Sequence, residues 1–102
     1  MDIKVIESEG RIVVTLRGDI YVEQADELLE TFNSIIEKGT QDVIINITDL
    51  KSITSSGIGK IMLLYKGMNQ QNRKIKIIGV NKTIMQIFKV VKLGKFVEIE
   101  ES

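Results

Sequence analysis

Val43-Ile44-Ile45-Asn46-Ile47, followed by Asp49-Leu50-Lys51-Ser52-Ile53-Thr54-Ser55-Ser56-Gly57-Ile58-Gly59, is the stretch on which the fold turns. The first run is β-branched and nearly unbroken in apolar character. Such a run reads as a central strand covered on both faces. A polar connection over residues 48–56 then leads into apolar residues at helical spacing: Ile58, Ile61, Met62, Tyr65 and Met68. A strand, a polar turn and an amphipathic helix make the first half of a βαβ unit.

The same grammar extends in both directions. Upstream, Ile3–Glu7 and Arg11–Arg17 are β-branched runs separated by Glu9-Gly10, which predicts a hairpin, and Gly18 breaks the pattern after them. Ala25, Leu28, Leu29, Phe32, Ile35 and Ile36 then form a helical stripe. Glu23, Glu27, Glu30 and Glu37 lie off it, and Lys38-Gly39 supplies a terminal cation and a left-handed cap. Downstream, a polar loop over residues 69–73 precedes a strand over Ile75–Val80. Asn81 is a good N-cap for a third helix carrying Ile84, Ile87, Phe88 and Val91, and Phe96–Ile99 suits a short last strand. The predicted order is β-β-α-β-α-β-α-β. That order specifies an α/β domain with a mixed sheet, helices packed on it, and the first strand as an antiparallel edge. The whole chain, residues 1–102, reads as a single domain.

Composition limits the chemistry. The 102 residues contain no Cys, His, Trp or Pro. There is no thiol nucleophile, thiolate metal site or imidazole base, so Ser-His and Cys-His catalysis are excluded. Any chemistry falls to hydroxyls, carboxylates and lysines. Fourteen basic and fourteen acidic residues give zero net charge, unlike the basic balance of a nucleic-acid binder. No leader or membrane-spanning run is evident, so a cytoplasmic location with no membrane partner is expected. Without coiled-coil heptads, a monomer is expected.

Several motifs resolve by spacing. Gly57-Ile58-Gly59-Lys60 invites a phosphate-loop reading, but Thr54 and Ile61 stand where a Walker A sequence needs Gly and Ser or Thr. The dinucleotide fingerprint fails at Met62. Asp19, Asp42 and Asp49 sit at strand ends, where carboxylates ordinarily cap and solvate. A small enzyme or nucleotide binder using Asp19, Asp49 and Lys60 is the weakest reading, and no cofactor is expected. More informative are three consecutive hydroxyls, Thr54-Ser55-Ser56, at a helix start, with Ser55 or Ser56 placed to cap it. Two glycines follow in the first turn, each costing about 1 kcal/mol relative to alanine. Either they permit close packing of helix on sheet, or they keep the helix start bare for a partner.

Ser55-Ser56-Gly57-Ile58-Gly59, preceded by Asp49-Leu50 at the end of an apolar strand, resembles the signature loop of STAS domains, and more narrowly of bacterial anti-sigma factor antagonists. The resemblance spans nearly the whole chain. It implies a regulatory binding module rather than an enzyme. The unphosphorylated form would bind an anti-sigma factor that is also a serine kinase, so that a sigma factor is released to act in transcription. Phosphorylation would end the interaction, and a phosphoserine phosphatase would reset it. Carried over, Ser55 is the phosphoacceptor. Thr54, Ser56, Gly57, Ile58 and Gly59 would form the contact surface together with Asp19, Ile20, Tyr21 and Val22, the last three of which have the alternative role of stapling the first helix to the core. Three positions depart from the family pattern: Thr54 replaces the acid that usually precedes the serine, Tyr21 a frequent acid before the first helix, and Lys92 a glycine near the end of the third. A STAS scaffold subunit of a signalling or lipid-transport assembly, without phospho-switching, is the alternative.

Overall fold

The computed structural model describes residues 1–39 and 41–102. Its elements run β1 (Asp2–Ser8), β2 (Arg11–Ile20), α1 (Val22–Lys38), β3 (Asp42–Asn46), β4 (Leu50–Ile53), α2 (Ser55–Asn69), β5 (Ile75–Val80), α3 (Lys82–Val90), a 3-10 turn at Leu93–Lys95, and β6 (Glu98–Glu101). Among the described residues the strands form one six-stranded sheet in the order β1-β2-β3-β5-β6, with β4 paired to the second half of β2. The β1–β2 pair is antiparallel, and β2–β3, β3–β5 and β5–β6 are parallel. The fold is the mixed α/β sheet with three helices that the residue pattern predicts.

Period-two burial builds the core. Ile12, Val14 and Leu16 of β2, Val43 and Ile45 of β3, and Ile75 and Ile77 of β5 are buried. They join one cluster with Leu28 and Phe32 of α1, Ile61, Leu64 and Met68 of α2, and Ile84 and Phe88 of α3. The intervening residues Val13, Ile44, Asn46 and Ile78 are only half-buried. The expectation that β3 is covered on both faces is therefore corrected: its second face is partly open.

Four local expectations also change. Strand β2 does not stop at Gly18. It passes through that residue at φ 87° to Ile20, with a register shift against β4 between Gly18 and Asp19. Glycine adopts this left-handed conformation without the penalty a side chain would bring. The connection read as polar contains a strand, β4, because its alternate residues Leu50 and Ile53 are buried. The last strand starts at Glu98 rather than Phe96. Val97 instead plugs the core, and Phe96 packs against Tyr65 in a tilted pair with ring centroids 5.6 Å apart. Gly39 is extended, not left-handed. A Cβ there would meet the Arg73 guanidinium at 2.7 Å, so close approach is what requires glycine.

Arg73, assigned by its pattern to a polar loop, is buried. Its Nε donates to the Gln41 carbonyl at 2.7 Å, and its Nη1 to the Ile35 carbonyl at 3.1 Å and to Gln71 Oε1 at 2.8 Å. It thus satisfies a carbonyl in the last turn of α1. Burial pulls its pKa below the usual arginine value, and nearby Asp42 partly offsets that.

Candidate functional site

The site forms where β2 and β4 end side by side. Their parallel register pairs Ile20 with Ile53, and the Thr54 N–H donates to the Ile20 carbonyl at 3.0 Å. Each strand then turns at once into a helix. Tyr21 is the N-cap of α1 and Thr54 the N-cap of α2. Register therefore places the two helix starts next to one another at the carboxyl ends of parallel strands, where ligands and partners of α/β sheets commonly bind.

The two starts are finished differently from that of α3. At α3, Asn81 Oδ1 accepts the Ile84 N–H at 2.8 Å, an ordinary side-chain cap, as its sequence position predicts. At α1, the Tyr21 N–H donates to Gln24 Oε1 at 3.0 Å. At α2, no side chain caps the helix: Thr54 Oγ1 is buried without a partner among the described residues, and the first turn holds no acid. The capping role expected of Ser55 or Ser56 is corrected. They occupy the first two helical positions, where N–H groups have no intrahelical partners. Ser55 is exposed and Ser56 half-exposed.

The remaining expected site residues divide by burial. Tyr21 and Val22 are 49% and 63% exposed, a high value for apolar side chains beside a helix start. Ile20 is fully buried, so of the three residues of this turn it alone staples the helix to the core. Ile58 and Gly57 are buried and Gly59 is exposed. A Cβ on Gly57 would meet Ile20 Cγ2 and Ile53 Cγ1, each at 2.8 Å, whereas a Cβ on Gly59 would meet nothing within 4 Å. The close-packing reading therefore holds at Gly57 and not at Gly59. Gly57 lets α2 sit down on the ends of β2 and β4, and Gly59 leaves a bare surface with no packing reason for it.

Asp19 is half-buried and accepts the Ser52 hydroxyl at 2.6 Å, tying β2 to β4 just below the surface. Asp49 faces Arg17 at 3.3 Å with both side chains more than half exposed, an arrangement that contributes little to stability. Asp42 lies at the far end of β3, where it accepts the Lys74 N–H. The strand-end carboxylates thus do not converge. No group of three or more Asp or Glu among the described residues is placed to hold a metal ion, and no helix there is long and apolar enough to cross a membrane.

The family model described as the STAS domain matches residues 2–102. The chain belongs to the STAS domain family. This STAS chain is 26% identical over 101 residues to the anti-sigma-B factor antagonist of Staphylococcus epidermidis, with 99% of this chain and 94% of that one covered. Among solved structures, it superposes on an anti-sigma factor antagonist from Mycobacterium paratuberculosis with a TM-score of 0.87 at 14% identity, covering 99% of this chain and 86% of that one. It also superposes on the Bacillus cell fate determinant SpoIIAA in its phosphorylated form, with a TM-score of 0.77 at 16% identity, covering 96% and 90%. These likenesses establish that the fold extends over essentially the whole STAS chain.

Proposed function

We propose that this STAS domain is an anti-sigma factor antagonist. Its unmodified form binds an anti-sigma factor with serine kinase activity, and phosphorylation of Ser55 ends that binding. The observation that carries the proposal is an exposed hydroxyl, Ser55, at a helix start with no side-chain cap, beside exposed Tyr21 and Val22 and the bare Gly59. The kinase needs access to the hydroxyl, and the partner needs an apolar, closely approachable surface. Both requirements meet at this end of the sheet. The full-length similarity to staphylococcal anti-sigma-B factor antagonists and the fold shared with SpoIIAA in a phosphorylated form support the same reading.

A phosphate adds about −1.5 to −2 charge and three acceptor oxygens. Placed at the start of α2, it faces unpaired N–H groups and the positive end of the helix dipole. The domain accommodates it, whereas a partner packed on Tyr21, Val22 and Gly59 does not. The module acts in the cytoplasm as a monomer and performs no catalysis itself; kinase and phosphatase supply the chemistry. Mixing the protein with the anti-sigma kinase is the test. A complex should form without ATP and dissociate with it as Ser55 acquires phosphate, and Ser55→Asp should weaken binding about a hundredfold, as a charge buried in an interface does. Absence of a complex with the unmodified protein defeats the proposal.

A second reading rests on Thr54 and Tyr21, which hold the two N-cap positions where the family often has acids. In this reading the domain is a constitutive scaffold. Ser55→Ala separates the two: it blocks ATP-driven release in the switch and changes nothing in the scaffold.

A further inference from the structure

The opposite end of the molecule carries a feature that the switch does not use. Helix α3 follows the carboxyl end of β5 and runs back, so its last turn lies near the start of β6, away from Ser55. There Met85, Phe88, Lys89, Lys92, Gly94, Lys95 and Ile99 line a groove of about 470 Å³, within the usual size range of small-molecule sites. Phe88 forms a buried floor, and Met85 and Ile99 are half-buried walls. At Gly94 a Cβ would meet only Ile99 Cδ1, at 3.9 Å, so nothing fills the groove from that side.

The charge around this groove is one-sided. Between Lys82 and Val97 the chain holds four lysines and no carboxylate, in a protein whose net charge is zero. Lys89, Lys92 and Lys95 form no ion pair among the described residues. Two of the three acids of β6 are engaged elsewhere, and the third, Glu101, lies further along the strand beside Val80. Glu98 and Glu100 lie 4.0 and 2.9 Å from Lys76, and strand alternation puts them on the face opposite Ile99.

We propose that this groove binds an amphiphile with a single aliphatic chain and an anionic head, such as a long-chain carboxylate. The chain lies on Phe88, Met85 and Ile99, and the head meets the ammonium groups of Lys89, Lys92 and Lys95. Methionine suits such a wall because its flexible thioether adapts to chain shape. A peptide is disfavoured, because its backbone polar groups would be stranded on the apolar lining.

The full chain is titrated with laurate below its micelle concentration and followed by amide NMR shifts. Saturable shifts should cluster at residues 85–99, with dodecanol and dodecyltrimethylammonium binding more weakly. Replacing Lys89, Lys92 and Lys95 with Gln should cost about two- to fivefold in affinity per lysine. Gly94→Phe, which fills the groove, should abolish the shifts while the remaining spectrum stays native. Ser55→Asp should leave laurate affinity unchanged, so the outcome is independent of the switch. Three results overturn the proposal: no saturation below the micelle concentration, equal affinity for the cationic amphiphile, or binding only to phosphatidylglycerol vesicles or a Glu/Leu-rich peptide.

Discussion

Gly57 and Gly59 are two residues apart in one helical turn, yet they answer to different forces. At Gly57 an added methyl group collides with Ile20 and Ile53, both pinned in the core. Overpacking of this kind costs about 1–3 kcal/mol, more than the roughly 1 kcal/mol of helix propensity that alanine brings. Gly57→Ala should therefore lower stability. Gly59→Ala meets no obstacle and should raise it by about 1 kcal/mol, or roughly 4–8 °C in melting temperature. The same Gly59→Ala protein should bind the anti-sigma partner more weakly. A stability gain with unchanged affinity would assign Gly59 no part in the interface. Sequence shows that two glycines in a helix start are unusual. It does not show which one is forced, because Ile20 and Ile53 come to face Gly57 only through the pairing of β2 with β4.

At the scale of elements, what was legible follows the range of the interactions. The hairpin, all three helices and the long strands are written in local periodicity, and Asn81 caps α3 as its position predicts. Strand β4 escaped because four residues, half of them polar, carry no periodic signal until β2 lies beside them. The local pattern at Gly39 signals a left-handed cap, whereas what crowds it is Arg73, 34 residues further on. The end of α3 shows the converse case. Lys92 sits just past the helix at φ 58°, ψ 37°, a left-handed conformation in which a residue with a Cβ is strained. This is the position where the resemblance leads one to expect glycine, and the backbone supplies the physical reason. Lys92→Gly should stabilise the domain by about 1 kcal/mol, read as a higher urea midpoint at constant m-value. An unchanged midpoint would mean that the lysine chain recovers the strain through contacts of its own.

For the whole molecule, the proposed switch requires that a change at one serine alter partnership without altering the fold. The chain has zero net charge, so a single phosphate at Ser55 would make it net negative, with the added charge confined to one end of the sheet. Helix α2 begins there without an acid in its first turn and without a side-chain cap, so negative charge at Ser55 meets an unsatisfied helix terminus. An acid in the first turn contributes about 0.3–1 kcal/mol at low ionic strength. Ser55→Asp should therefore leave the circular dichroism spectrum native and raise stability slightly. That gain should shrink as salt rises from low concentration to several hundred millimolar, because exposed charges are screened within about a Debye length. The loss of partner affinity should be less sensitive to salt, since the carboxylate is desolvated when the surface of Tyr21, Val22 and Gly59 closes over it. A domain that unfolds on Ser55→Asp would contradict a signal confined to the surface. A binding loss that salt fully reverses would place Ser55 at the rim of the interface rather than beneath the partner.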